Sequence, residues 1–132
     1  MSDMYRILPR YFEHKDARGS IAGLLNVGVW REMNLIASDA GATRGHHYHK
    51  ETQECFVVLV GKIHVVFRRP LAGSGWEQKE RIFVAGEVFI VEPTVEHTFH
   101  ILEASQWINL LSKPVDTDQP DFHKYAGDEA NT

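Results

Sequence analysis

Apolar and polar residues alternate along most of the chain with the two-residue period of strands, and almost nowhere with the 3.6-residue period of helices. Short β-rich runs recur: WREMNLIAS (30–38), ECFVVLVG (54–61), KIHVVFRR (62–69), RIFVAG (81–86), EVFIVEP (87–93), HTFHILE (97–103) and QWINLLS (106–112). Such runs, bounded by Gly, Pro, Asp and Ser, predict an all-β sandwich, jelly roll or barrel. Gly61-Lys62 lies between two of them and reads as a hairpin turn, and PLAGSGWEQ (70–78) reads as a longer hairpin loop. No repeat, linker or low-complexity stretch interrupts the pattern. The segment from Lys113, with Pro114, Pro120 and the terminal GDEANT, reads as a covering tail that frays.

Composition narrows the class. A chain of 132 residues is read as one domain over 1–132, with a barrel core at about 30–112, an N-terminal strand segment 1–29 and a C-terminal covering tail 113–132. Its 43% hydrophobic and 24% charged residues are those of a soluble globule. The net charge of −4 comes without a basic stripe, so no nucleic-acid partner is expected. The single cysteine, Cys55, permits no internal disulfide and suits a reducing compartment. The start, MSDMYRILPRYFEHKD, has no apolar signal region, and no apolar run reaches the length of a membrane span. The expectation is a cytoplasmic protein with no membrane partner.

RGHHYHKETQE (44–54) carries the candidate chemistry. On a strand, His47 and His49 share a face and His46 takes the other. Glu54 opens the next apolar run, where it can fold back beside the two histidines. Two imidazoles and a carboxylate turned inward are costly unless satisfied. A divalent cation satisfies them, since neutral imidazole and carboxylate are ligands for Zn, Fe, Mn or Ni. A fourth ligand must come from elsewhere. GEVFIVEPTVEH (86–97) runs from Gly86 through an apolar strand and a Pro turn to His97.

These residues resemble the cupin family. Gly41, His47, His49, Glu54 and Gly61 stand at the spacing of the first cupin motif, G-x5-H-x-H-x4-E-x6-G. Gly86 and His97 stand at that of the second, G-x5-P-x-G-x2-H-x3-N, where Glu92, Thr94 and Ile101 replace the usual Pro, Gly and Asn. The resemblance implies a double-stranded β-helix (jelly-roll barrel) with His47, His49, Glu54 and His97 inside its mouth. DARGSI (16–21) and RGHHYH (44–49) further resemble cupins that act on nucleotide-linked 4-keto sugars. Among these, RGHHYHKETQECFVVLVGK is most similar to the C-terminal cupin of bifunctional capsular-polysaccharide reductases, and shares R-G-x-H with sugar 3,4-ketoisomerases. Pro120, Asp121 and Phe122 resemble the terminal segment of the former.

That resemblance implies a sugar-nucleotide epimerase or isomerase of polysaccharide or deoxysugar biosynthesis. Its metal ligands would be His47, His49, Glu54 and His97, with zinc first and Fe, Mn or Ni as alternatives. A histidine whose lone pair is on a metal cannot also be the free base. With metal bound, the base is sought among His46, Tyr48, Glu51, His64 and His100; without it, His47 and His49 are the acid/base pair. Arg44 is the first candidate for the sugar or diphosphate and Arg18 the second, the latter weighed evenly against a surface salt bridge. An Fe(II) cupin oxygenase and a non-catalytic metal- or sugar-binding cupin are the competing functions. His46 is expected to face out or pack locally, His64 to be a satisfied strand histidine, and His100 to lie opposite His97. Cys55 is expected in a core or interface, and Trp76 in a loop as a lid or partner contact. Exposed jelly-roll edges of small cupins commonly pair, which implies a homodimer.

Overall fold

The structure, a computed structural model, describes residues 3–125. Nine strands carry the described chain: β1 (Tyr5–Ile7), β2 (Phe12–Asp16), β3 (Gly19–Gly23), β4 (Glu32–Ser38), β5 (Thr43–His47), β6 (Glu54–Pro70), β7 (Trp76–Val84), β8 (Val88–Val91) and β9 (Glu96–Leu111). None of these residues forms a helix long and apolar enough to cross a membrane. The expected all-β jelly roll is what forms, from two layers that share their longest strands. One layer runs β1-β8-β6-β9-β4; in the other, β7 joins β6 and β5 joins β9. All pairings are antiparallel. β2 and β3 form a separate two-stranded ribbon.

The sharing depends on a bend, and here the Gly61-Lys62 hairpin expectation is corrected. Runs 54–61 and 62–69 are two halves of one strand, β6, which pairs with β9 along both halves with register shifts between Val58 and Ile63. Runs 97–103 and 106–112 are likewise halves of β9. A hairpin reverses direction, whereas Gly61 only re-aims the strand. Its φ is +101°, and a Cβ there would lie 2.1 Å from Ser105 Oγ, so only glycine lets β9 come this close. The shift also changes which parity faces inward: Glu54, Phe56 and Val58 before it, Ile63, Val65 and Phe67 after it, all buried. Leu59 and Val60 stay exposed at the bend. The 70–78 hairpin does form, with Pro70 opposite Trp76 and Leu71 N–H bonded to Gly75 O.

The barrel interior holds one apolar cluster, built on Phe56, Phe67, Phe83, Phe89, Phe99 and Trp107. Phe83 stacks on Phe89 at 3.9 Å between centroids and Tyr5 on Phe67 at 4.1 Å. Cys55, Val88 and Ile90 form a second cluster on the outer side of the first layer, covered by Leu24, Leu25 and Trp30. Burial pushes the Cys55 thiol up to about 12, which makes it an inert core residue, as expected.

Two backbone irregularities aim the future site. In β5, Arg44 pairs with Phe99 and Gly45 with Thr98, after which the register slips so that His47, not His46, faces His97. The extra residue is absorbed by Gly45 at φ +88° and His46 at φ +62°. This bulge decides which histidine enters the barrel. A Cβ on Gly45 would lie 2.6 Å from the His97 carbonyl oxygen. Thr94, which stands where the second cupin motif has glycine, nevertheless holds φ +72°. The turn keeps its shape because Thr94 N–H bonds the His49 carbonyl at 2.6 Å and the Tyr125 hydroxyl donates to the Thr94 carbonyl. Ile101, in place of the motif's Asn, is simply core.

Thr94 is exposed and β-branched in a left-handed conformation, which costs about 1 kcal/mol or more relative to glycine. Thr94→Gly is expected to raise the urea midpoint with an unchanged m-value; a lower midpoint would contradict strain at this turn. Gly45→Ala meets both a positive φ and a backbone oxygen, and is expected to cost about 2 kcal/mol or more in the same assay. Wild-type stability in that variant would show that the bulge tolerates a side chain.

Candidate functional site

Four side chains meet inside the mouth of the barrel. The bulge turns His47 inward from the end of β5, His49 follows past the strand end, Glu54 opens β6 at an inward position, and His97 stands second in β9. One ligand atom from each lies within 4.8 Å of the others. His47, Glu54 and His97 border a cavity of about 230 Å³, also lined by Arg44, Phe56, Phe99, Trp107, Asn109 and Phe122.

Hydrogen bonding fixes how these groups present themselves. His97 Nδ1 lies 3.1 Å from the Val95 carbonyl and His49 Nδ1 lies 2.6 Å from the Asp121 carbonyl. The His47 ring bonds the Gly45 backbone. A carbonyl only accepts, so each imidazole donates one N–H outward, and in its neutral form keeps the other nitrogen's lone pair for the interior. His97 Nε2 stands 3.4 Å from Glu54 Oε1. His49 Nε2 also contacts Glu54 Oε1, yet is buried without a hydrogen-bond partner. The other carboxylate oxygen, Glu54 Oε2, accepts from Asn109 Nδ2 at 2.7 Å; Asn109 Oδ1 in turn accepts from Asn34 Nδ2 at 3.2 Å.

Electrostatics follow from this packing. Burial, reinforced by the His97 and His49 imidazoles, pushes His47 down to about 4, so it is a neutral base at pH 7. Burial also lowers His49, against the pull of Glu54. Burial opposes ionisation of Glu54 and of His97, but each is outweighed by the other's charge: the Glu54 carboxyl is held low and His97 is held high. Three inward imidazole nitrogens, one of them the orphaned His49 Nε2, and one anchored carboxylate fit a divalent cation that would displace the His97 proton, with every imidazole held from behind as metal-binding histidines are.

Of the remaining sequence candidates only Arg44 lines the cavity. Tyr48 faces away from the cavity, stacked on Tyr125 at 4.0 Å, because side chains alternate between His47 and His49. His46, at the bulge itself, is turned away from the cavity, its Nδ1 3.3 Å from Thr98 Oγ1. His64 and His100 stack at 5.7 Å on the outer surface, His64 Nε2 3.4 Å from Glu80, and Glu51 pairs with Lys113. None of these alternative bases lines the cavity. Arg44 does line it, braced by Ser38 Oγ and by the Ala37 carbonyl at 3.2 Å. Arg18 does not: it sits at the tip of the β2–β3 ribbon, 2.8 Å from Asp16. Trp76 opens β7 instead of lying in the loop, under the Arg68 guanidinium at 4.0 Å. Glu92, in the motif's Pro position, accepts from Gln53 Nε2 at 3.2 Å.

Asn109, Asn34 and Phe122 were missed by sequence reasoning as site residues. Asn109 had a signal, being the one polar residue at inward parity between Trp107 and Leu111. Phe122, whose ring lies 5.2 Å from both His47 and His49, had none beyond the tail resemblance, because the tail has no periodicity to read.

Known proteins share the fold and part of the sequence. Over 64 residues, 48% of this chain, the sequence is 33% identical to the UDP-2-acetamido-2,6-beta-L-arabino-hexul-4-ose reductase of Pseudomonas aeruginosa; the match spans only 17% of that reductase. The fold superposes with a TM-score of 0.74 on the sugar 3,4-ketoisomerase QdtA of Thermoanaerobacterium thermosaccharolyticum solved with TDP, at 17% identity over 96% of this chain and 91% of that one. It superposes with a TM-score of 0.65 on the capsular polysaccharide assembling protein CapF of Staphylococcus aureus, at 24% identity over 86% of this chain and 33% of that one. The model of the polysaccharide biosynthesis C-terminal domain matches residues 14–113, and the chain belongs to that family.

Proposed function

We propose that this protein is a sugar-nucleotide epimerase or isomerase whose barrel mouth takes the sugar of a nucleotide-linked 4-keto hexose. The observation that carries the reading is the cavity itself: about 230 Å³, bordered by a neutral imidazole, an ionised carboxylate and an arginine. That volume is below the usual range for a whole ligand and suits a sugar ring with the nucleotide left at the mouth. The names of the reductase, the ketoisomerase and the capsular protein support the substrate class.

Such reactions remove a proton from the carbon beside a carbonyl, and the barrier lies in the negative charge that develops on the oxygen. His47, His49, Glu54 and His97 would hold a divalent cation, zinc first. When bound, that cation supplies Lewis-acid stabilisation of the developing oxyanion. With the cation bound, those four residues are occupied and no other base among the described residues lines the cavity. In the metal-free site His47 takes the proton: it is neutral at pH 7 and less buried than His49, Glu54 and His97. Asn109 keeps Glu54 in place, Phe56 and Phe99 exclude water, and Arg44 grips the sugar or the diphosphate. The lack of a base apart from the candidate ligands favours one second reading, a cupin that binds the sugar nucleotide without turning it over.

We assign the protein to the cytoplasm, where such sugars are built, as a homodimer. The outer face of edge strand β4 leaves Met33 and Leu35 69% and 66% exposed, an apolar surface suited to a second copy.

Incubation with a 4-keto sugar nucleotide in deuterated water is expected to place deuterium beside the carbonyl, with a loss of 100-fold or more in His47→Gln. Binding without exchange in the wild type would select the second reading. Light scattering is expected to give twice the chain mass, and Leu35→Glu to shift it toward the monomer; a monomeric wild type would contradict the dimer.

A further inference from the structure

The tail after Pro120 is bound to the site more closely than its sequence suggests. The Asp121 carboxylate accepts the backbone N–H groups of Lys50, Glu51 and Thr52 at 2.9, 2.9 and 3.0 Å and the Thr52 hydroxyl at 2.9 Å. His123 Nε2 lies 2.8 Å from the same carboxylate. Tyr48 and His123 exchange a pair of backbone hydrogen bonds, each of 2.9 Å. Tyr125 stacks on Tyr48, and Phe122 covers His47 and His49.

The three site histidines are not held alike. His97 and His47 give their outward N–H to carbonyls two residues away, Val95 and Gly45, on their own stretches of chain. His49 gives its own to Asp121, 72 positions along. Two of the three imidazole orientations are therefore local, and one depends on the tail.

We propose that residues 121–125 form a strap that completes the site, with Asp121 as its positioning residue. Its carboxylate pins the strap to residues 50–52, so that its own carbonyl holds the His49 proton on Nδ1 and leaves Nε2 bare toward Glu54. Phe122, carried by the same strap, roofs the histidine pair. The consequence for metal rests on the reading of His49 as a ligand under Proposed function; the tautomer does not. A carboxylate is needed because its two oxygens take several donors at once, which a neutral amide with one acceptor oxygen cannot match.

The test is long-range ¹H–¹⁵N correlation of the histidine rings in metal-free, full-length protein, for the wild type, Asp121→Ala and the milder Asp121→Asn. The wild type is expected to show His49 protonated on Nδ1 alone. Both variants are expected to show His49 in exchange between tautomers, with His97 unchanged as the sign that the barrel is intact. Titration with Zn²⁺ alone, against a chelator, is expected to give 10- to 100-fold weaker binding in Asp121→Ala. A His49 tautomer unchanged in both variants, or wild-type zinc affinity in Asp121→Ala, would overturn the strap. A wild type that binds no zinc but shows the tautomer shift in the variants would instead overturn the ligand reading and uphold the strap.

Discussion

A carboxylate buried in a barrel stays ionised only if its surroundings replace the water it has lost, and Glu54 imposes that condition on everything near it. Asn109 satisfies one oxygen, and two imidazole nitrogens face the other. Each of those groups then needs its own support. Asn34 holds Asn109 across the β4–β9 pair, Val95 holds His97, and the tail holds His49. The apolar cluster of Phe56, Phe99 and Trp107 closes around the polar end and raises the cost of any unsatisfied group. The site is therefore a chain of dependencies that starts at one acid, and it explains why both layers of the barrel converge on this mouth.

The fold was legible because its period was: inward positions of β6, β8 and β9 are the apolar ones, and the motif spacing alone groups His47, His49, Glu54 and His97, which the structure brings together. What escaped was set by backbone detail. A glycine between two β-runs marks a turn or a bend with the same letters, and only the approach of Ser105 to Gly61 shows that β6 continues. The exclusion of His46 follows from a one-residue bulge rather than from simple alternation. Thr94 shows the converse: the motif residue changed while the conformation it encodes persisted.

Residues without periodicity were the hardest to foresee. Asp121 and Phe122 lie in a tail whose letters predict only cover, and their partners are about 70 positions away. Arg18 shows the opposite case, a residue singled out by resemblance that the described chain holds at the tip of a separate ribbon. Its salt bridge to Asp16 is explained without any ligand.

The central physical claim is that the inward nitrogens of His47, His49 and His97 and the Glu54 carboxylate are built to hold a divalent cation. Elemental mass spectrometry on untagged wild type and on Glu54→Gln, after incubation with Zn²⁺ and desalting, tests it most directly. One zinc per chain in the wild type, lost in Glu54→Gln while the strand signature in circular dichroism persists, is the expected result. A wild type that retains no zinc would contradict the claim and leave the cluster as a metal-free acid/base site.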